Sequence, residues 1–214
     1  MNLITKLIGL ISFLIFSPII LFSALIVFLH DFKNPFYLHK RVGLNGYYFT
    51  LYKIRSMRIN SGLKNYTTTS VNDQRLFWFG KFLRKYKIDE FPQFLNLFFG
   101  DMNVIGPRPN IIELVKEYSN SEFSLLDVKP GITDISSVIL SDLNSLVSTA
   151  KNPDLYYKKN IRPKKFKMSK FYINNRSLSL DVIIFFCTII GIINSNLAKK
   201  YLRNHILKKY NHEF

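Results

Sequence analysis

Several residue types and motifs that mark common protein classes are missing from this sequence of 214 residues. A single cysteine, Cys187, excludes an intramolecular disulfide framework and a cysteine-based metal site. No G-x-G-x-x-G or G-x-x-x-x-G-K-[ST] segment occurs, so the common nucleotide-binding folds are not supported. No D-x-D triplet occurs either, which argues against metal-dependent glycosyltransferases of the common nucleotide-sugar type. The 4 histidines show no metal-ligand spacing.

Acidic residues are also scarce. The chain has 14 Asp and Glu against 30 Lys and Arg, which gives a formal net charge of +16. Such a balance favours a polyanionic partner: nucleic acid, an anionic membrane surface or a phosphorylated substrate. Hydrophobic residues make up 48% of the chain, with 20 Phe and 12 Tyr. This content excludes a disordered basic tail and favours a membrane surface.

An uncharged apolar stretch lies near the N-terminus, from Leu7 to Leu29. As a helix it would be ~35 Å long, enough to cross a ~30 Å hydrocarbon core. A cleaved signal peptide fits poorly, because the run is too long and no A-x-A-like site follows it. A transmembrane anchor and a re-entrant helix both remain. The re-entrant form rests on Pro18, which removes a backbone donor in mid-helix, and on Ser17, which can bond the freed carbonyl. Positive charge on both flanks, at Lys6 and Lys33, does not choose an orientation.

The patterning of the remaining chain predicts one β-hairpin, several helices and a loop. Aromatic and branched residues from Phe36 to Arg55, divided by Asn45-Gly46, are typical of a hairpin. The predicted helices cover residues 73–86, 89–99, 110–118, 182–193 and 197–210, and residues 60–73 predict a surface loop. The last helix is basic and amphipathic, which suits either an anionic lipid surface or a solvated helix end.

Two adjacent carboxylates, Asp89 and Glu90, stand out in a chain this basic. One interpretation is structural: Asp89 caps a helix and Glu90 favours its dipole. The other is chemical, because a helix N-terminus binds phosphate, Arg84 precedes the pair and Arg108 is held between two prolines. A carboxylate nucleophile, a second carboxylate able to hold Mg²⁺ and arginines for phosphate oxygens make a workable phosphoryl-transfer site.

Five segments, taken in order, resemble one family. They are FSPII in the first apolar run, RVGLNGYYFTLYKIRSM, FGKFLRKYKIDEFPQFLNLFFGDMNVIGPRP, VKPGIT, and SLSLD before the last apolar run. On these motifs the chain resembles the bacterial sugar transferases, in the small monotopic form of the polyprenyl-phosphate phosphoglycosyl transferases. The resemblance runs from about Lys6 to Ile193.

The resemblance implies an activity, a cofactor and a set of site residues. Members of the family transfer a phospho-sugar from a UDP-sugar to undecaprenyl phosphate, release UMP and form a covalent phospho-sugar intermediate on an aspartate. By resemblance, Asp89 is the nucleophile, Glu90 holds Mg²⁺ and Arg108 binds substrate phosphate. Arg84 and Lys53 are further candidates for phosphate binding.

The resemblance also implies an architecture. We expect an α+β fold that is mainly α-helical, with an N-terminal re-entrant membrane helix, a small β-hairpin and interfacial amphipathic helices. Ser17 and Pro18 match the element that breaks the membrane helix in this family. The expected divisions are the re-entrant helix over residues 1–32, a catalytic domain over 33–196 and a basic tail over 197–214. The expected location is the cytoplasmic face of a bacterial inner membrane, with membrane lipid but not nucleic acid as a partner.

One position departs from the family pattern. Asp134 follows the Pro-Gly-Ile-Thr turn, where the family usually has Gly, and we expect it to change the backbone or the sugar pocket. The competing interpretation of the chain is a non-enzymatic basic protein that binds membranes or nucleic acid. That interpretation explains the charge but not Asp89 and Glu90 beside Arg108. UMP release that depends on Mg²⁺ and undecaprenyl phosphate distinguishes the two.

Overall fold

The computed structural model describes residues 3–59, 73–143, 147, 150 and 152–210. These residues form a mainly helical α+β structure, as predicted. They divide into two compact units. The first comprises residues 3–59, Arg75–Val104 and Arg108–Ile132, and the second comprises residues 73–74, Ile105–Pro107 and the described residues from Thr133 onward.

The first unit begins with a long helix and a hairpin and continues through short elements. In chain order these are α1 (Leu3–Asp31), β1 (Phe36–Val42), β2 (Tyr48–Ile54), α2 (Trp78–Lys85), α3 (Phe94–Phe99) and α4 (Ile112–Val115). Three 3₁₀ helices accompany them, at Leu44–Gly46, Ile88–Gln93 and Glu122–Asp127.

The second unit is built mainly from helices. They are α5 (Ile135–Ile139), α6 (Pro153–Tyr156), a π-helical turn (Tyr157–Ile161), α7 (Arg162–Asn174), α8 (Leu178–Ile193) and α9 (Ser195–Tyr210). Two short strands, β3 (Asn103–Ile105) and β4 (Gly131–Thr133), belong mainly to the first unit and pair with each other.

Helix α1 is continuous through Pro18. The missing N–H of a proline leaves the carbonyl four residues earlier, here that of Leu14, without its helical donor. The Ser17 hydroxyl donates to that carbonyl at 2.8 Å, as the sequence predicts. The helix is therefore not interrupted at Ser17 and Pro18, where the sequence predicts a break, and it runs from Leu3 to Asp31. Whether α1 enters and leaves the membrane on one side remains a prediction.

Helix α1 packs along the first unit over most of its length. Near its start, Gly9 approaches α3 so closely that a Cβ atom there would lie 2.6 Å from the backbone nitrogen of Phe98. Near its end, Ile20 and Val27 join a buried cluster with Ile54, Phe77, Phe79 and Leu83. The contacts from Gly9 to Val27 span ~27 Å of helix.

The predicted β-hairpin is confirmed. Strands β1 and β2 pair antiparallel, in a register that runs from Phe36 opposite Ile54 to Val42 opposite Tyr48. Asn45 and Gly46 form the turn with φ angles of 53° and 80°. Asn and Gly tolerate this left-handed region better than other residues, which is why the pair marks the turn in the sequence.

Three predicted helices of the first unit differ in extent from the structure. The helix predicted over 73–86 begins only at Trp78, as α2. The helix predicted over 110–118 is reduced to α4, because the Tyr118 N–H bonds the carbonyl three residues back and closes a turn. The helix predicted over 89–99 is a 3₁₀ helix followed by α3. Pro92 has no N–H with which to continue α-helical bonding. The cap prediction for Asp89 is wrong, since Lys87 occupies the N-cap and Asp89 lies in the first turn. Of the predicted loop over 60–73, only Asp73 is among the described residues.

The second unit has its own apolar core. Helix α8 begins at Leu178, four residues before the predicted start, and buries Leu180, Ile184 and Cys187. Helix α9 contacts α8 and α5, and its buried residues are Ala198, Leu202 and Ile206. These three residues recur every fourth position, so they form one helical stripe. The inner stripe of the predicted amphipathic tail therefore packs within the unit, while Leu197, Tyr201 and Leu207 remain exposed.

Candidate active site

The two adjacent carboxylates lie on the 3₁₀ helix Ile88–Gln93. Lys87 leads into this helix with a left-handed φ of 57°, which turns the chain sharply after α2. The 3₁₀ helix packs against β2 and α1, and only 5% of Asp89 is exposed. The catalytic candidates are therefore fixed by contacts on two sides and do not sit on a free loop.

Glu90 is held by two cations. Lys53 Nζ, from β2, lies 2.7 Å from Glu90 Oε1, and Arg108 Nη2 bonds the same oxygen. Arg108 Nη1 lies 3.5 Å from Oε2. Burial alone would raise the pKa of Glu90, but Arg108 and Lys53 outweigh it and hold the pKa well below its ordinary value. Glu90 is therefore ionised at neutral pH.

The pKa of Asp89 is shifted in the opposite direction to that of Glu90. Burial raises its pKa above the ordinary value, and the neighbouring Glu90 charge acts in the same direction, while Lys53, Arg84 and Arg108 oppose the rise. A carboxylate that is poorly solvated but close to cations is more nucleophilic than one in water. Two adjacent carboxylates with opposite pKa shifts are a common sign of different chemical roles.

Arg84 is the third cation around the pair. It lies in the last turn of α2, and its Nε donates to Ser56 Oγ at 2.8 Å, which fixes the direction of the guanidinium. The structure thus brings together all five predicted chemical residues of the first unit: Lys53, Arg84, Asp89, Glu90 and Arg108.

The segment of α1 around Ser17 and Pro18 contacts this site through aromatic side chains. Phe16, which precedes Ser17 and Pro18, has its ring centroid 4.6 Å from that of Phe91 and 5.6 Å from that of Phe94. Phe91 directly follows Glu90 in the chain. The middle of α1 therefore contacts the segment that carries the carboxylates.

The donor atoms around Glu90 restrict how a metal ion could bind. In the described ranges, no group of three or more His, Cys, Asp or Glu side chains could hold a metal ion. Mg²⁺ in phosphoryl-transfer sites is commonly bound through one or two carboxylates together with substrate phosphates. The ionised Glu90, beside cations suited to phosphate, fits an ion shared with substrate and does not fit an all-protein cage.

Arg41 is a further cation of the site that sequence reasoning missed. It lies on β1, and its Nε is buried without a hydrogen-bond partner in the part of the chain that the structure describes. Burial lowers the pKa of Arg41, and the charge of Arg108 lowers it further, while Tyr37, Glu113 and Glu90 act in the opposite direction. The hairpin pattern predicts the strand but not which of its basic side chains would turn toward Glu90.

Asp134 has a structural explanation. It caps α5: its Oδ1 accepts from the Ser137 N–H at 2.8 Å and from the Ser137 hydroxyl, and its Oδ2 accepts from the Ser136 hydroxyl at 2.6 Å. Its φ of −152° is ordinary extended backbone. This extended backbone does not require Gly, and the expected difference in backbone from the family stays a prediction. An effect on the sugar pocket stays a prediction.

Comparison with known proteins places this geometry in a family context. The family described as "Bacterial sugar transferase" matches residues 2–195. A relative from Aeromonas hydrophila, named UDP-N-acetylgalactosamine-undecaprenyl-phosphate N-acetylgalactosaminephosphotransferase, is 34% identical over 178 residues. The match covers 82% of this chain but 39% of that protein.

Two other relatives give the same picture at different lengths. The uncharacterized sugar transferase EpsL of Bacillus subtilis (strain 168) is 32% identical over 190 residues, which cover 89% of this chain and 84% of that protein. The UDP-glucose:undecaprenyl-phosphate glucose-1-phosphate transferase of Klebsiella pneumoniae is 29% identical over 187 residues, 86% of this chain and 38% of that protein. The chain thus spans less than half the length of the two relatives whose names specify a reaction.

Proposed function

This chain belongs to the bacterial sugar transferase family, and we propose that it transfers a phospho-sugar from a UDP-sugar to undecaprenyl phosphate, releasing UMP. The observation that carries the proposal is the pair Asp89 and Glu90, whose pKa values shift in opposite directions among Lys53, Arg84 and Arg108. The names of the Aeromonas and Klebsiella relatives specify reactions of this kind.

In the first half-reaction, an oxygen of the ionised Asp89 carboxylate attacks the phosphorus that carries the sugar. The new bond is an acyl phosphate, and the bond that breaks is the phosphoanhydride to UMP, which leaves with the bonding electron pair. No proton needs to move, because carboxylate and leaving phosphate are both anionic. The cations beside Asp89 offset the charge that builds on the phosphoryl oxygens.

In the second half-reaction, a phosphate oxygen of undecaprenyl phosphate attacks the same phosphorus. The acyl phosphate bond breaks, the Asp89 carboxylate is regenerated, and the product is undecaprenyl-diphosphate-sugar. One phosphoanhydride replaces another overall. Storing the group on Asp89 allows donor and acceptor to use the phosphate-binding cations one after the other.

The cations and Glu90 divide the work of holding phosphate. Arg108 and Arg84 present planar guanidinium groups that suit paired phosphate oxygens, and Lys53 supplies a point charge. Mg²⁺, when bound by Glu90 together with substrate, would neutralise diphosphate charge. Glu90 also orients Lys53 and Arg108 through its two oxygens.

We further propose that the protein is monotopic, with α1 re-entering the cytoplasmic face of the inner membrane. The supporting observation is that both Gly9 and Val27 pack on the same unit as the carboxylates. A helix that left this unit to cross the bilayer would lose those contacts. The outer face of α1 is apolar and exposed, which suits lipid.

The activity is tested with purified protein, a panel of UDP-sugars, undecaprenyl phosphate and Mg²⁺, with UMP release as the measurement. We expect one or a few UDP-sugars to release UMP in amounts that exceed the enzyme. This release should require both the acceptor and Mg²⁺. With donor alone, intact-protein mass spectrometry should show a phospho-sugar adduct. Absence of UMP with every UDP-sugar would favour the non-enzymatic alternative.

Membrane topology is tested by single-cysteine labelling in a Cys187→Ser background. Leu3→Cys and Phe32→Cys place exposed thiols at the two ends of α1. We expect both to be protected from an impermeant reagent in intact spheroplasts and labelled after lysis. Labelling of Leu3→Cys from the periplasmic side would show that α1 spans. Ser17→Ala with Pro18→Leu supplies the backbone N–H that the Leu14 carbonyl lacks and should shift the protein toward spanning.

A further inference from the structure

Gln93 is a buried amide at the end of the 3₁₀ helix that carries Asp89 and Glu90. Only 2% of the residue is exposed. Its Nε2 has no hydrogen-bond partner among residues 3–59, 73–143 and 152–210. The function proposed above gives this side chain no role.

A buried amide nitrogen without a partner is unfavourable, because its hydrogens lose water and gain nothing in return. Native proteins satisfy most such groups, and the exceptions commonly mark a ligand or an ordered water. The Gln93 amide is therefore a hydrogen-bond donor available to a ligand or an ordered water that binds next to it.

A second buried amide, one turn further along, shows that the local structure can satisfy such a group. Asn96 is 0% exposed, and its Nδ2 donates to the Thr50 carbonyl at 2.7 Å and to Asp101 Oδ2 at 3.2 Å. Its Oδ1 accepts from the Tyr52 N–H at 3.2 Å. Asn96 joins α3 to β2, so its role is structural. The unpaired amide nitrogen is therefore particular to Gln93 and is not a general feature of buried amides in this segment.

The position of Gln93 in its helix brings it to the same face as Glu90. Side chains three residues apart are eclipsed in a 3₁₀ helix, so Gln93 follows Glu90 on the same face. Asp89, four residues earlier, lies about a third of a turn from that face. Glu90 on that face meets Lys53 and Arg108, the cations suited to phosphate.

We propose that the Gln93 amide donates a hydrogen bond to an oxygen of the phosphoryl group that passes through Asp89. This inference rests on the proposed function, since it takes the diphosphate of a UDP-sugar as the ligand. A neutral donor adds direction without adding charge, so it can hold the phosphoryl oxygens in both half-reactions. The bond satisfies the amide hydrogens that the free protein leaves unpaired.

The test compares Gln93→Met with Asn96→Leu as a matched control. Met has nearly the volume of Gln and no donor, so we expect the melting temperature of Gln93→Met to be unchanged or higher by about 2–4 °C. Its kcat/KM for UMP release should fall about 10- to 100-fold. Asn96→Leu should lower the melting temperature, because it leaves backbone groups of β2 unpaired. Gln93→Glu removes the donor and adds repulsion, so its activity should fall further.

Binding of UDP, measured by calorimetry, separates this inference from the proposed function. We expect the Kd of UDP to rise about 10-fold or more in Gln93→Met relative to wild type. If wild type binds UDP but releases no UMP from any UDP-sugar, the transferase proposal fails while the Gln93 contact is still decided by the two Kd values. Equal UDP binding and kcat/KM within twofold of wild type in Gln93→Met would overturn the inference. So would a melting temperature that falls as far as in Asn96→Leu, since that result marks a structural amide.

Discussion

Two aspartates, one in each unit, are almost equally buried but differ in what surrounds them. Asp134 is 3% exposed and accepts hydrogen bonds from Ser136 and Ser137, its near neighbours in sequence. Asp89 is 5% exposed and meets the charges of residues brought in from elsewhere in the chain. Glu90 beside it is paired with Lys53 and Arg108, which are 37 and 18 residues away.

The difference separates a carboxylate that stabilises the fold from one that we propose reacts. The oxygens of Asp134 are occupied by donors that the local turn supplies, so its burial is compensated within a few residues. The burial of Asp89 is not fully compensated, which is why its pKa is raised despite three nearby cations. Unfavourable burial of this kind is retained where a site has to perform chemistry.

Asp89→Asn gives the largest expected effect. Asn keeps the shape but has no anionic oxygen to attack phosphorus, so UMP release should fall by about 10³-fold or more. The melting temperature should stay the same or rise, because a poorly compensated buried charge is removed. Mass spectrometry of the phospho-sugar adduct measures the loss of chemistry, and thermal melting measures the change in stability. Turnover close to wild type would contradict the nucleophile role.

Arg108→Lys is expected to have the second largest effect. Lys keeps the positive charge but loses the planar fork that pairs with Glu90 and that we propose binds substrate phosphate. We expect kcat/KM for the UDP-sugar to fall about 10- to 100-fold. Arg162→Lys, on α7, is a charge-matched control that should leave kcat/KM unchanged. Full activity of Arg108→Lys would show that charge alone is enough at this position.

Asp134→Ala should affect stability and not chemistry. Loss of an N-cap residue costs about 1–2 kcal/mol, equivalent to about 2–8 °C in melting temperature for a chain of this size. Activity per folded molecule should remain near wild type at a temperature well below melting. Asp134→Asn keeps a capping oxygen and should lose less stability. A large loss of kcat/KM at unchanged melting temperature would instead place Asp134 in the sugar pocket.

Asp31 provides the smallest and most selective test, since it is a paired aspartate at the end of α1. Hydrogen bonds from Arg55 hold the pKa of Asp31 below its ordinary value, outweighing the effect of burial. A lowered folded-state pKa gives stability that is complete above the unfolded value of about 3.9 and is lost as the pH falls through the folded value. Asp31→Asn should therefore cost about 1 kcal/mol at neutral pH and progressively less below about pH 4. A difference in melting temperature that does not shrink on acidification would contradict this pairing.

The sequence by itself determined the features that depend on neighbouring residues. The apolar stretch of α1, the Ser17 bond around Pro18 and the Asn45-Gly46 turn all follow from local hydrogen bonding and backbone preference. The motifs around Asp89, Glu90 and Arg108 were sufficient to indicate the family, because their order and spacing are specific.

Only the tertiary structure decided which side chains meet. Lys53 contacts Glu90 because the hairpin packs on the 3₁₀ helix, and no sequence period encodes that contact. The same packing leaves Arg41 and Gln93 buried with unpaired nitrogen atoms in the described part of the chain, although neither stands out in the sequence. Local patterns fix turns and periods, whereas burial and charge balance are set by residues distant in the chain, and these decide which carboxylate can react.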